Sequence, residues 1–180
     1  GGDIFLFEKI GPGNQFASPV VVAVWSTGYF PMDMAVADFN EDGNFDFVIS
    51  YYSSFNCGLY LGDGALGFTG PSTDSAADPL LLKDAAPYLS AGVDAADFNN
   101  DGLLDFMGLD MISESNYVNK NSVTSMNSKY FNQLKNNGLH NQYTINTLQL
   151  NNGNMGDNNI PVFSDVAQLA GVSSTDWSWG

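Results

Sequence analysis

Two nine-residue stretches gather the side chains best suited to chemistry. In the first, residues 38–46, Asp38, Asn40, Asp42 and Asp46 put side-chain oxygens at loop positions 1, 3, 5 and 9, with Gly43 at position 6. In the second, 59 residues further on, Asp97, Asn99, Asp101 and Asp105 repeat the oxygens and Gly102 repeats the glycine. Three aspartates this close repel one another in a tight turn, which raises their carboxyl pKa values unless a cation sits among them. Every donor is a hard oxygen, which suits calcium, an ion that takes about six to eight oxygens in a tolerant geometry. Position 7 is Asn44 in one loop and Leu103 in the other. A backbone carbonyl ligand tolerates that exchange, because it does not depend on its side chain. Gly43 and Gly102 permit the sharp turn around the ion. The reading is therefore two Ca2+ sites. An Asx-rich turn that holds no ion is the other reading of the same residues.

These loops are not EF-hands. That motif needs a bidentate Glu at position 12 and a helix on each side. Position 12 is Ile49 in one copy and Gly108 in the other. Apolar residues flank the first loop, Met34 to Ala37 before it and Phe47 to Ile49 after it. The segments that follow the loops, 47–52 and 106–109, read as strands. Asp46 and Asp105 thus stand where a loop enters a strand.

The chain has 180 residues, enough for one domain with a real core, and its formal net charge is −15. Its five basic residues are all lysines. Nucleic acid is excluded as a partner, since binding it needs a basic footprint. The only glutamates are Glu8, Glu41 and Glu114; the other acidic residues are Asp, which favours turns and metal loops over helix surfaces. Abundant glycine and aromatics suit a β-rich fold with many turns. Cys57 is the only cysteine and reads as a small strand residue. No apolar run is long enough to insert in a membrane.

Repeated units set the architecture. Residues 58–68 read as a strand, a Gly/Asp turn and a returning aromatic, Phe68. Residues 147–153, with Val162 and Phe163, read as the same hairpin with a longer turn. Residues 3–16 read as an earlier copy returning at Phe16. One unit is thus an inner strand, the acidic loop, a second strand, a third strand and a hairpin to a fourth. Residues 32–70 supply one unit and residues 92–163 another. Residues 1–24 end a preceding unit, and residues 164–180 begin a further one. Four-stranded units recurring along a chain predict a partial β-propeller, all-β, with about two complete blades and partial blades at both ends. Small Ala35, Ala37, Ala95 and Ala96 suit inner strands crowding an axis.

The second unit carries an Asn- and Ser-rich insertion, residues 110–146. Asn127 or Ser128 is placed to cap a short helix over residues 129–135, closed by Gly138. The insertion is either a helix packed on the rim or a ligand-binding excursion. Ser164 reads as the N-cap of a later helix that Gly171 stops. Trp177 and Trp179 suit core or interface burial, or stacking on a sugar.

The two Asp-x-Asn-x-Asp-Gly-x-x-Asp loops resemble FG-GAP/VCBS repeats, which form β-propeller blades in integrin α subunits and in many secreted bacterial proteins. The tail from Asn146 through Asn152-Gly153, Phe163-Ser164-Asp165-Val166-Ala167 and Gly171-Val172 to Trp177-Ser178-Trp179 is similar to the bacterial branch related to cartilage acidic protein, the ASPIC/UnbV-associated group. The resemblance implies calcium at each loop, on Asp38, Asn40, Asp42, the Asn44 carbonyl and Asp46, and on Asp97, Asn99, Asp101, the Leu103 carbonyl and Asp105. It also implies a fragment of a longer propeller, whose remaining blades are its partners.

The expected function is a non-catalytic, calcium-binding segment of a secreted or cell-surface protein. It would serve adhesion, through glycan or extracellular protein, or act as a structural scaffold module. A propeller-type polysaccharide lyase or hydrolase is the alternative. His140 is the only histidine, and no cysteine or serine motif marks a partner for it.

Overall fold

The computed structural model describes residues 3–7, 11–13, 15–24, 30–52, 57–71, 80–82, 92–121, 132, 136, 144–154 and 159–176. The fold is all-β with little helix. Strands β1 (Asp3–Leu6) and β2 (Val20–Val24) form a two-stranded antiparallel sheet. Asp3 pairs Val24 and Leu6 pairs Val20. The strand returning to β1 is therefore β2, not the stretch ending at Phe16; Phe16 instead meets Phe7 edge-on at 6.4 Å.

The first full sheet contains β3 (Phe30–Ala37), β4 (Asp46–Tyr52), β5 (Cys57–Gly62), β6 (Phe68–Thr69) and β7 (Leu81–Leu82). The order is β3-β4-β5-β6, with β7 also on β5. The sheet has one strand more than the four expected, and the reason is length. β6 is two residues long and covers only Leu61 and Gly62, which leaves Cys57 and Gly58 to pair with β7. The second sheet is a four-stranded antiparallel meander of β8 (Gly92–Ala96), β9 (Asp105–Leu109), β10 (Thr147–Asn154) and β11 (Pro161–Asp165).

The two sheets repeat one another in register. Ala37 pairs Asp46 as Ala96 pairs Asp105. Phe47 pairs Tyr60 as Phe106 pairs Gln149. Gly62 pairs Phe68 as Asn151 pairs Phe163. Each acidic loop thus spans the same two strands at the same end of its sheet. Gly64 and Gly153, with φ of 75° and 81°, occupy matching places in the hairpins that follow.

The alternation of β4 explains how the sheets stack. Val48 and Ser50 point one way, Phe47, Ile49 and Tyr51 the other, and all five are buried. Val48 joins Ala35, Ala37, Phe39, Cys57, Leu59 and Leu80 in a core shared with Val93 and Phe106 of the second sheet. Phe47, Ile49, Tyr51 and Tyr60 form a separate cluster on the opposite face, with Phe68 packed against it. Phe47 stacks on Tyr60 at 4.7 Å. The small inner-strand residues Ala35 and Ala37 let β8 approach β3, where Val93 N–H donates to Asp33 Oδ2 at 3.0 Å. Cys57 is fully buried in the shared core, and burial pushes its thiol pKa up to about 12.

β9 ends at Leu109 and β10 starts at Thr147. Asp110 N–H donates to Asn146 Oδ1 at 2.8 Å, and both residues are buried. Asn146 Nδ2 donates to the Val172 carbonyl and to Thr175 Oγ1 at 2.9 and 2.7 Å. Asp176 Oδ1 accepts from Glu114 N–H at 2.8 Å. Between these ties lies helix α1 (Asn116–Asn121), which sequence reading did not place. The helix expected over 129–135, with Gly138, His140, Trp177 and Trp179, lies outside the described residues, residue 132 excepted.

Helix α2 (Ala167–Ala170) ends at Gly171 in the left-handed conformation, φ 73°, as a glycine stop should. Its N-cap is Val166, not Ser164. Ser164 lies in β11, where its Oγ accepts from Asn152 Nδ2 at 2.9 Å. The first-turn N–H of Ala167 is satisfied instead by Asp165 Oδ1 at 2.9 Å.

Candidate functional site

Each acidic loop is built by its own side chains holding its own N–H groups. In the first, Asp38 Oδ1 accepts from Asp42 N–H at 3.1 Å and Oδ2 from Gly43 N–H at 2.9 Å. Asn40 Oδ1 accepts from Asp42 N–H at 3.2 Å, and Asp42 Oδ1 from Asn44 N–H at 2.8 Å. The second loop repeats these bonds. Asp97 accepts from Asp101 and Gly102 at 3.1 and 3.0 Å, Asn99 from Asp101 at 3.1 Å, and Asp101 from Leu103 at 2.8 Å. Asn40 Nδ2 also donates to Asp42 Oδ2 at 3.0 Å, as Asn99 Nδ2 does to Asp101 Oδ2 at 2.8 Å. These are Asx turns in series, the local bonding that makes short Asp and Asn the residues of choice here.

The backbone bends the same way in both loops. Gly43 and Gly102 have φ of 86° and 94°. Two residues earlier, Glu41 and Asn100 both have φ of 58°. Sequence reading gave that fourth position no role. Asn100 suits it, since Asn tolerates the left-handed region, but Glu41 disguises it.

Position 9 is the hinge between loop and sheet. Asp46 Oδ2 accepts from Phe39 and Asn40 N–H at 2.9 and 3.3 Å, and Oδ1 from Gly62 N–H at 2.9 Å. Asp105 Oδ2 accepts from Phe98 N–H, and Oδ1 from Asn151 N–H, each at 2.8 Å. Each carboxylate thus clamps the start of its loop to the third strand of its sheet. Both are fully buried. Burial raises the Asp46 pKa, the N–H bonds from Gly62, Phe39 and Asn40 pull it down, and the Asp42 charge raises it further. The third-strand partners, Gly62 and Asn151, escaped the sequence reading because a backbone donor leaves no mark in residue type.

Position 7 behaves as a carbonyl position should. A Cβ on Gly64 would meet Asn44 Oδ1 at 2.5 Å, and one on Gly153 would meet Leu103 Cδ1 at 3.9 Å. Both position-7 side chains therefore lie over the hairpin glycine, and their type is free to differ.

All ten expected ligand residues fall in these two loops. Among the described residues, no three His, Cys, Asp or Glu side chains are grouped to hold a metal ion. What converges is oxygen bonded to successive N–H groups. Asn40 is buried and Asn99 exposed, and the reason lies outside their loops. Asn151 Nδ2 donates to the Phe39 carbonyl and Asn154 Nδ2 to the Asn40 carbonyl, both at 2.8 Å. Phe39 itself meets Phe106 and Phe163 edge-on at 6.3 and 6.1 Å. The hairpin of the second sheet thus covers the loop of the first.

Residues 38–107 match the family described as FG-GAP-like repeat. The match opens on the first residue of the first loop and closes two residues past Asp105, so both loops lie inside it. No curated protein matches the chain.

Proposed function

We propose that this chain is a calcium-stabilised, non-catalytic segment of a secreted or cell-surface β-propeller, in the bacterial branch related to cartilage acidic protein. Its role is adhesion through a glycan or an extracellular protein, alongside the remaining blades of its parent. One observation carries the reading: two loops in matched register repeat an all-oxygen donor set and the same hydrogen bonds. The donors fit a hard cation, with no sulfur or imidazole among them. Asp38, Asn40, Asp42, Asp46 and the Asn44 carbonyl would hold one ion. Asp97, Asn99, Asp101, Asp105 and the Leu103 carbonyl would hold the other. A carboxylate oxygen that accepts one N–H retains a second lone pair for the metal. A bound ion supplies positive charge among the carboxylates and stabilises the fold by binding it alone. Extracellular modules of this kind bind calcium at about 10⁻⁴ to 10⁻³ M.

Titration calorimetry with calcium chloride tests the ion, and a glycan array tests the adhesive role. Two calcium equivalents are expected, falling to one in Asp42→Ala, and chelator should lower the melting temperature. No heat of calcium binding, together with a melting curve indifferent to chelator, ends the calcium reading.

A further inference from the structure

The two sheets meet through a plug and a socket. Phe39, from the first loop, is 1% exposed and sits on the aromatic pair Phe106 and Phe163 of the second sheet. Around it, the side-chain amides of Asn151 and Asn154 hold the carbonyl oxygens of Phe39 and Asn40. Phe98 occupies the same position in the second loop, yet it is 44% exposed. Among the described residues, no side-chain amide reaches the carbonyl oxygens of Phe98 or Asn99. The surface beside Phe98 is the counterpart of the covered one. Ala96, Met107 and Leu150 stand where Ala37, Val48 and Leu61 pack into the shared core. Ala96 is exposed, and Met107 and Leu150 are half-buried.

We infer that the Phe98 face docks a further unit of the same β-meander, one that presents an aromatic pair to receive Phe98 and two side-chain amides to receive the carbonyls of Phe98 and Asn99. The inference rests on the repeat reading above but not on calcium. The argument is continuity with the interface already formed. The first loop offers a phenylalanine and two carbonyls and is covered by the next unit in line. The second loop offers the same groups in the same register. Units of this kind bury a continuous core only by stacking on neighbours.

The test extends the full chain by a second copy of residues 92–176 after Gly180. The added copy carries Phe98→Asp, which ends the array and makes its peptides distinguishable. Hydrogen exchange by mass spectrometry then reads residues 96–100 of the original unit. The expected result is a loss of exchange there relative to the unextended chain, a higher melting temperature, and reversal of both by Phe98→Asp in the original unit. Unchanged exchange at 96–100 beside a folded added unit overturns the inference. So does an added unit that stays unfolded, because docking on this face is what would fold it. Concentration-dependent self-association of the unextended chain, abolished by Phe98→Asp, would assign the face to a second copy and overturn it as well. Calcium titration of the same proteins is read separately, so loss of the calcium reading leaves this outcome intact.

Discussion

The side-chain amide of Asn151 donates to the carbonyl oxygen of Phe39 at 2.8 Å, across 112 residues of chain. The same nitrogen lies 3.2 Å from the Leu104 carbonyl, and Asn151 N–H donates to Asp105. One residue therefore joins the first loop, the second loop and the third strand of the second sheet. Three predictions about packing and one about protonation follow from this arrangement.

Asn151→Ala leaves the buried Phe39 and Leu104 carbonyls without that donor. Unmade buried bonds of this kind cost about 1–3 kcal/mol each. The Asn154 side chain makes one such bond, to Asn40, and is exposed, so Asn154→Ala should cost about 0.5–1.5 kcal/mol. Urea denaturation of both variants checks the order. Equal losses would show that the amide of Asn151 does not bind the two sheets together.

Phe39 and Phe98 hold the same place in identical motifs, so their truncation is a matched comparison. Phe39→Ala empties a site in the shared core and should cost about 3–5 kcal/mol. Phe98→Ala removes a half-exposed ring and should stay within about 1 kcal/mol, since surface changes are small. Thermal and chemical denaturation give both numbers. A Phe98→Ala loss as large as that of Phe39→Ala would contradict the exposure of Phe98.

Gly62 and Asn151 are register equivalents, yet they are not interchangeable. A Cβ at Gly62 would run into the Phe45 carbonyl oxygen and come within 3.2 Å of Phe68 Cε1. Gly62→Asn should therefore fail to import the amide clamp. It should destabilise the first sheet by more than about 2 kcal/mol, since backbone would have to move. A Gly62→Asn protein as stable as wild type would refute this.

Asp46 titrates above its ordinary value near 3.8 because burial disfavours its charge. The folded state then holds the proton more tightly than the unfolded one. The stability from this group is complete below its unfolded pKa and is lost as pH rises through the folded value. In chelator, stability measured from about pH 3.5 to 6 should carry that downward component, and Asp46→Asn should remove it. The substitution does not preserve the bonding: an amide offers one acceptor oxygen where the Asp46 carboxylate uses two, so the variant is also less stable at every pH. Asp63 and Asp176 act with the opposite sign. Ala65 and Gly67 N–H groups lower the first, and the Ser113 hydroxyl and Glu114 N–H the second. Their contributions appear above pH 3.8 and are lost as pH falls. Carbon-13 NMR of the Asp46 carboxyl decides the matter; a midpoint at or below 3.8 would reverse the sign.

The loops could be read from the sequence because their chemistry is local. Asx turns form between residues at most five apart, so Asp38, Asn40 and Asp42 announce the turn by spacing alone. The strands that flank them follow from apolar runs. What covers the loops could not be read this way. Asn151 and Asn154 look like hairpin residues, and nothing near them names carbonyls more than 110 residues away. Phe39 and Phe98 look alike, and their different burial is set by what lies beside each sheet. β7 escaped notice because two leucines carry no alternation, and it exists only because β6 is too short to fill the edge of β5. Ser164 was a sound N-cap by residue type, but strand pairing with β10 claimed it first.

The bond between Asp110 and Asn146 closes the mouth of the excursion that leaves β9 and returns at β10. With Asn146 anchored to Val172 and Thr175 as well, the two ends meet on a fixed platform. Length and composition beyond that platform are decoupled from the meander. The position is thus a graft point, where foreign peptide can be spliced in without unravelling the strands on either side.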